Sequence, residues 1–375
     1  MNPIGGAVKG LFKTVDKWLV IFSVICSSFG VVLIYSATRN TQSGTRNVAI
    51  QGFSILAGVI LMFIISRVDY EFFEDIASII FIFFVIALIA TYFVATPIKG
   101  NRNWINLGII NIQTSEIAKV AFIITFSTHI YRLGGEINKL RNAFFLLLHF
   151  LFYLVPILMQ GDAGSALIYF VMFIVMLFVG GLKPVYFTGA AVVLGASTPL
   201  IWNFVLKDYM KNRILVTFSP EIDPLGSGYQ AIQSKIALGS GGLTGSGLFK
   251  GIQTQYNLLP EKHTDFIFSV AGEELGFIGC MLIIFLLCII IFRIGWIGAA
   301  SKNEAGLLIC TGVAAMLAAQ MIENIGMCVG LLPVIGITLP FFSYGGSSLI
   351  SVFCALGLAL SVFAHSRGLS FSDEP

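Results

Sequence analysis

The sequence predicts an all-α polytopic membrane protein of about ten transmembrane helices, with a large extracytoplasmic loop (about residues 207–263) between spans 7 and 8. Two observations indicate this class. Of the 375 residues, 57% are hydrophobic and only 11% are charged, and the apolar residues form many runs long enough to cross a bilayer. No internal repeat is visible, so we treat residues 1–375 as one integral membrane domain. The spans run over approximately 18–36, 48–66, 76–95, 114–131, 143–159, 164–180, 184–206, 264–292, 304–330 and 342–364.

The composition argues against several other classes. The net charge of +3 is small and the basic residues are spread along the chain, which argues against nucleic acid as a partner. The first apolar run, from Trp18 to Ser36, lacks a small-residue cleavage site and is typical of a retained span. All six cysteines lie inside apolar segments, so we interpret them as small buried hydrophobic residues and not as a disulfide framework or a metal motif.

Basic residues in the short loops predict the orientation in the membrane. Ten is an even number, so both termini lie on one side. If that side is the cytoplasm, eleven basic residues face it and four face outward, and this excess predicts cytoplasmic termini. The loop 207–263, left out of the count because of its length, then faces outward. The eleven are Lys9, Lys13, Lys17, Arg67, Arg132, Lys139, Arg141, Lys183, Arg293, Lys302 and Arg367, and the four are Arg39, Arg46, Lys99 and Arg102.

Charged residues open the fourth span. Glu116 and Lys119 are three residues apart, so a helix places both on one face. The pattern has two interpretations, an ion pair buried in the bundle or the polar wall of a cavity that binds an anionic substrate. In the preceding loop, Arg102 lies close to Trp104, which is also typical of a simple interfacial anchor. The sequence does not separate these alternatives.

Two further segments on the predicted outer face carry candidate residues. Asp162 lies in a tight glycine-containing turn, where it is either a helix N-cap or a site residue. The large loop contains Arg213 and a stretch, 231–238, with apolar residues at helical spacing, followed by the glycine-rich run 239–247. We expect a short amphipathic helix and then a mobile glycine turn that gates a bulky substrate. A flexible linker is the alternative.

Asp265 lies where this loop re-enters the eighth span. An acid at such a junction either caps the helix or takes part in chemistry. Glu261, His263 and Glu273 lie at the same junction, although acidic groups are costly this close to lipid. The crowding of polar residues favours a chemical role for Asp265.

The eighth span is longer than a bilayer requires. The run 264–292 has 29 residues, about 43 Å of helix against a hydrocarbon core of roughly 30 Å. We therefore expect its first turns to meet water. Glu273 and Glu274 are adjacent and point in different directions on a helix, so we expect one to face a cavity and the other a neighbouring helix.

The last two spans also contain polar features. Gln320, Glu323 and Asn324 share one face of the ninth span, which we interpret as polar packing within the bundle. The segment 331–348 interrupts the helical pattern. Broken backbone at this depth is tolerated only where protein or a cavity satisfies it.

A series of motifs resembles those of the SEDS family (shape, elongation, division and sporulation; RodA/FtsW/SpoVE). The resemblance covers nearly the whole chain in order. Three positions depart from the usual family residues: Thr114 replaces Pro, Asn103 replaces Arg, and Ser246 stands where Lys is frequent. The matching motifs are Ser115-Glu116-x-x-Lys119, Gly161-Asp162-x-Gly164, Gly228-Tyr229-Gln230, Gly239-Ser240-Gly241-Gly242-Leu243, Gly251-Ile252-Gln253, 259–268, Gly272-Glu273-Glu274-Leu275-Gly276 and 339–348.

The resemblance implies a bacterial peptidoglycan glycosyltransferase that polymerises lipid II, an undecaprenyl diphosphate-linked substrate, on the outer face of the cytoplasmic membrane. It implies Asp265 as the catalytic base and a class B penicillin-binding protein as partner, together with other elongation or division proteins. The basic candidates would contact the diphosphate or the sugars, and acidic ones would orient them. No cofactor is predicted, although a divalent cation is compatible with the chemistry. The expected substrate-binding residues are Glu116, Lys119, Asp162, Arg102, Arg213, His263 and Glu273.

Two functions of other classes fit parts of the same pattern. A lipid II flippase also needs a polar cavity in a helical bundle, but its essential charges belong at mid-membrane or on both faces, whereas these cluster on the outer face. A scaffold for the cell-wall machinery would need no buried charges. The short tails favour an elongation member over a division or sporulation member.

Overall fold

The computed structural model describes residues 15–97, 101–106, 111–205, 208–223 and 226–366. Lys9, Lys13, Lys99 and Arg367, which entered the charge count, lie outside these ranges. The elements up to residue 179 are α1 (Lys17–Thr38), α2 (Gly44–Ile65), α3 (Tyr70–Asp75), α4 (Ala77–Val94), β1 (Trp104–Asn106), β2 (Asn111–Gln113), α5 (Thr114–Leu133), α6 (Leu140–Met159) and α7 (Ala163–Val179). The later helices are α8 (Pro184–Leu200), α9 (Asp208–Phe218), α10 (Ser227–Ser240), α11 (Ile252–Gln255), α12 (Ile267–Ala299), α13 (Glu304–Val329) and α14 (Gly346–Ser366).

The spans of a multi-pass membrane protein dominate the fold. Within the described residues, seven helices are long and apolar enough to cross a membrane: α1, α2, α4, α6, α12, α13 and α14. The remaining three predicted spans coincide with α7 and α8, which are apolar but shorter, and with α5, which is long enough but more polar. Each predicted run therefore corresponds to a helix.

A small hairpin departs from the predicted all-α class. β1 pairs with β2 in antiparallel register, with Trp104 opposite Gln113 and Ile105 opposite Ile112. The prediction treated the whole segment 96–113 as loop, because two strands of three residues are too short to give an alternating pattern. The hairpin leads directly into α5 and so fixes the start of that helix.

The two last helices form the centre of the bundle. α14 is the most buried of the seven candidate spans, and α13 follows it. Close packing between α2 and α14 depends on small residues: a Cβ at Gly58 would lie 2.5 Å from the Phe353 ring, and one at Gly357 would lie 2.9 Å from Ile65. In contrast, α8 has no buried residue.

A break inside α12 explains the excess length of the eighth span. Gly276 has φ 68° and ψ −165°, so two helices meet there at a kink. The loop after α10 satisfies the main-chain groups that the kink frees. Phe277 N donates to Gly242 O (2.9 Å) and Gly247 N donates to Glu274 O (3.0 Å). The glycine-rich run that we expected to be a mobile turn is therefore hydrogen-bonded to a buried helix, and the short helix predicted before it is α10, which packs on α12.

Candidate functional site

A cavity of about 610 Å³ opens at the end of the bundle where α2, α5 and α7 begin. Its wall is completed by α9 and by two segments without helix, 256–266 and 330–345. It brings together five of the eight predicted site residues: Glu116, Lys119, Asp162, Arg213 and Asp265. Across the described residues, the charged side chains that line it are Arg46, Glu116, Lys119, Asp162, Arg213, Glu261 and Asp265.

The first two turns of α5 carry a buried ion pair into this wall. Lys119 Nζ lies 2.8 Å from Glu116 Oε1, and both residues are buried. Glu116 Oε2 is also buried and makes no hydrogen bond within the described part of the chain. The two interpretations of this pair are therefore compatible, because the ion pair exists and lines the cavity. Removing either partner would leave a buried charge without compensation.

Asp162 is confirmed as the N-cap of α7 and is also part of the cavity wall. Its Oδ1 accepts a hydrogen bond from Ser165 N (3.0 Å). Its Oδ2 accepts from Asn103 Nδ2 (3.1 Å), Gln113 Nε2 (2.7 Å), Ser115 Oγ (2.8 Å) and Ser165 Oγ (2.8 Å). These bonds join the hairpin, α5 and α7 at one carboxylate. The Asp162 side chain thus holds three elements of the cavity wall together.

Asp265 lies in the segment that precedes α12. The N-cap position of α12 is occupied by the next residue, Phe266, so Asp265 lies one position before the N-cap. The carboxylate instead lines the cavity, beside the main chain of Gly336, where an added Cβ would lie 3.2 Å from Asp265 Oδ2. The main chain of Asp265 is held from behind, because its oxygen accepts a hydrogen bond from Asn324 Nδ2 (2.7 Å).

Residues 16–368 match the protein-family model described as a cell cycle protein of the FtsW/RodA/SpoVE type. The chain belongs to this family, the SEDS family. Peptidoglycan glycosyltransferase MrdB of Escherichia coli (strain K12) is 35% identical over 344 residues, which cover 91% of this chain and 93% of MrdB. A probable peptidoglycan glycosyltransferase FtsW of Geobacter sp. (strain M18) is 36% identical over 361 residues, 94% of this chain and 98% of that protein.

Solved structures of SEDS proteins have the same fold. One chain, from a study of how a peptidoglycan synthase complex coordinates polymerization and crosslinking, superposes with a TM-score of 0.81 at 29% identity and covers 94% of this chain and 99% of its own length. The crystal structure of the rod shape determining protein RodA of Thermus thermophilus gives a TM-score of 0.71 at 26% identity, with 94% and 98% coverage.

Three predicted site residues of this SEDS protein lie outside the cavity wall. Arg102 is exposed, and its guanidinium lies over the Tyr92 ring at 5.7 Å; the next residue, Asn103, lines the cavity in its place. The His263 ring packs against the Tyr344 ring, with centroids 5.5 Å apart. The third, Glu273, is buried in the protein.

Glu273 and its neighbour Glu274 correct the prediction that these acids meet water. Glu273 accepts hydrogen bonds from Gln253 N (2.7 Å), Thr254 N (3.0 Å) and Thr254 Oγ1 (2.7 Å), so it holds the start of α11. Glu274 accepts from Ser36 Oγ on α1 at 2.6 and 2.7 Å. Because the kink in α12 turns its first part into the protein, both carboxylates join elements of the fold and neither faces the cavity.

Sequence reasoning missed Arg46 in the cavity wall of this SEDS protein. Arg46 lies in the first turn of α2, and it entered the analysis only as one of four outward basic residues. Tyr344 lines the same cavity. A lone arginine at the start of an apolar run was the available signal. No group of three or more His, Cys, Asp or Glu side chains in the described ranges could hold a metal ion.

Proposed function

We propose that this chain, a peptidoglycan glycosyltransferase of the SEDS family, polymerises lipid II in the cavity, with Asp265 as the general base. The observation that carries the proposal is the presence of Asp265 and three cationic side chains, Arg46, Lys119 and Arg213, in one cavity wall. A sugar linked to a diphosphate needs both a proton acceptor and positive charge to react. The cavity contains both.

The reaction follows from these groups. The acceptor sugar hydroxyl gives its proton to the Asp265 carboxylate while its oxygen forms a bond to the anomeric carbon of the donor sugar. The bond between that carbon and the phosphate oxygen breaks, and its electron pair leaves with the diphosphate. The cationic side chains stabilise the negative charge of the departing group. The products are a longer glycan strand and a lipid diphosphate.

Two of the three other cavity acids are held within the wall. The Oδ2 atom of Asp162 accepts four hydrogen bonds, and Oε1 of Glu116 is paired with Lys119 at 2.8 Å. We infer that these two carboxylates orient the wall and its cation. Asp265 comes from a segment without helix on a different side of the fold and supplies a carboxylate to the same space.

The proposal includes ten membrane spans, cytoplasmic termini and an outward-facing cavity. In support, every predicted span coincides with a helix, and the basic residues of the short loops are concentrated on the opposite face. The test is cysteine labelling of intact spheroplasts in a cysteine-free background. Thr244→Cys, at an exposed position of the large loop, should react with an impermeant maleimide, whereas Gly135→Cys, exposed at the other end, should not. The reverse pattern would overturn the orientation.

The proposed partner is a class B penicillin-binding protein that crosslinks the strands. The related structure from a peptidoglycan synthase complex supports this pairing. The deciding experiment gives labelled lipid II to the purified chain with such a partner and follows the formation of glycan strands. Movement of lipid II across vesicles without polymer would favour the flippase alternative, although the charged residues of the cavity lie at one end of the bundle.

A further inference from the structure

Asn324 on α13 joins the two segments without helix that flank the cavity. Its side-chain nitrogen Nδ2 donates to the main-chain oxygen of Asp265 and to that of Ile337, both at 2.7 Å. The residue is fully buried. An amide nitrogen has two hydrogens, so both are used, one for each segment. Asn324 therefore fixes the position of the segment that carries the base relative to the opposite wall.

Two further hydrogen bonds hold the main chain next to Asp265 in the same way. Tyr344 N donates to His263 O (2.8 Å), and Ser343 Oγ donates to Thr264 O (2.5 Å). The oxygens of three consecutive residues, 263 to 265, are thus each bound by a residue between 324 and 344. Inside the segment, the main-chain nitrogens of residues 264 to 266 donate to Glu261 O, which forms a turn, and the three bonds from residues 324 to 344 attach this turn to the opposite wall.

The position of the wall matters because Asp265 lies directly against it. Gly336 has φ +74°, and its missing Cβ would lie 3.2 Å from Asp265 Oδ2. The next residue, Ile337, is the one whose oxygen Asn324 binds. A loss of this bond would allow the wall and the carboxylate to move relative to each other.

Two neighbours of Asn324 on the same helix face show that its contacts are particular to it. Both polar side-chain atoms of Gln320 and the Oε1 atom of Glu323 are buried without a hydrogen-bond partner in the described structure. The sequence suggested polar packing between helices for all three residues. Asn324 differs from the other two because its side chain bonds the main chain of the two segments beside the cavity.

We propose that Asn324 is a positioning residue for glycosyl transfer, which sets the place of the Asp265 carboxylate in the cavity by bonding both segments at once. The inference rests on the proposed function, since the effect of Asn324 is exerted through Asp265. Asn324 does not touch the substrate. It should therefore affect the rate of the chemical step and not the binding of lipid II.

Asn324→Ala is the first test, with the full chain and its transpeptidase partner. Misplacing a catalytic group by about 1 Å can lower the rate about 10²-fold, so a shift of the Asp265 carboxylate should lower kcat by about 10²-fold. KM should change by less than about threefold, because the side chains that would bind lipid II are unchanged. Gln320→Leu is the matched control, one turn away, buried and without a partner; it should keep activity, and the midpoint of thermal unfolding should not fall. A tenfold rise in KM with unchanged kcat would refute the positioning role.

A double mutant separates positioning from general damage. If Asn324 acts through Asp265, adding Asn324→Ala to Asp265→Asn should cause no further loss of residual polymerisation. If Asn324 had an independent structural role, adding Asn324→Ala would lower the residual polymerisation of Asp265→Asn by the same factor as it lowers that of the original protein. The two proposals also fail differently. An active Asp265→Asn refutes the base, whereas an inactive Asp265→Asn with an unaffected Asn324→Ala refutes this inference alone.

A second variant keeps the test valid if Asn324→Ala does not accumulate in the membrane. Ser343→Ala removes the bond to Thr264 O, together with the bond that Ser343 Oγ accepts from Leu339 N (2.8 Å), and leaves α13 unchanged. It should lower kcat with KM unchanged, by a smaller factor than the asparagine variant because the bonds at residues 263 and 265 remain. A folded Ser343→Ala protein with full activity would overturn the proposal.

Discussion

Replacing Asp265 by asparagine removes the carboxylate from the cavity while keeping the size of the side chain. The main-chain bonds of this residue, to Glu261 O and from Asn324 Nδ2, do not involve the carboxylate. No N-cap is lost, since Phe266 is the N-cap of α12. Asparagine keeps the shape of the side chain and can still form hydrogen bonds, so we expect the protein to fold and to accumulate in the membrane, with a change in the free energy of unfolding of about 1 kcal/mol or less.

The effect on catalysis should be much larger. Loss of a general base typically costs about 10²- to 10⁴-fold in rate, which corresponds to about 3 to 5 kcal/mol of transition-state stabilisation. The assay measures kcat and KM for polymerisation of labelled lipid II by the purified chain with its partner. KM should stay close to its original value because the cationic wall is intact.

The comparison variant is Asp162→Asn, a change of the other well-defined cavity carboxylate. It weakens the five hydrogen bonds that join the hairpin, α5 and α7, so it should lower the midpoint of thermal unfolding, unlike Asp265→Asn. If Asp265→Asn polymerised lipid II at a near-normal rate, the assignment of the base would be wrong, and Glu261, the other acid at that junction in the cavity wall, would be the next candidate.

Three further predictions concern other parts of the fold. Exchanging Glu116 and Lys119 keeps the ion pair but reverses the charges offered to the substrate, so stability should persist and activity should fall; a fully active exchange mutant would remove both residues from the site. Gly276→Ala introduces a Cβ 2.4 Å from Gly245 N at φ 68°, so it should lower the midpoint of thermal unfolding, whereas Gly52→Ala, with open space around it, should not. Burial raises the pKa of Glu74 to about 7, so the folded state holds a proton that the unfolded state releases near pH 4.5. Stability measured in detergent should then decrease as pH rises from about 4.5 to about 7 and level off above that, and Glu74→Gln should lose this dependence.

The parts of the site that depend on neighbours in the chain could be predicted from the sequence. Glu116 and Lys119 are paired because three residues bring two side chains together on any helix. Asp162 caps α7 because the cap needs only the turn and the residues that follow. The positions of the membrane helices follow in the same way from runs of apolar residues.

The remaining features depend on segments that are far apart in the chain. Arg46 and Gly336 meet in one cavity although 290 residues separate them in the numbering. The expectation that Glu273 meets water was wrong because a regular helix was assumed, whereas α12 is kinked at Gly276 and Glu273 is buried against α11. Such a kink can be recognised only from the loop that satisfies its freed main-chain groups.

The central place of α14 has a consequence for how the protein is made. Ser351 on α14 donates to the main-chain oxygen of Glu116 (2.6 Å), and Phe353 fills the space beside Gly58 on α2. A ribosome produces α2 and α5 more than 200 residues before α14, so these contact faces lack their partner until α14 enters the membrane. Assembly of the cavity wall around Glu116 therefore has to wait for a helix that is made long after α5.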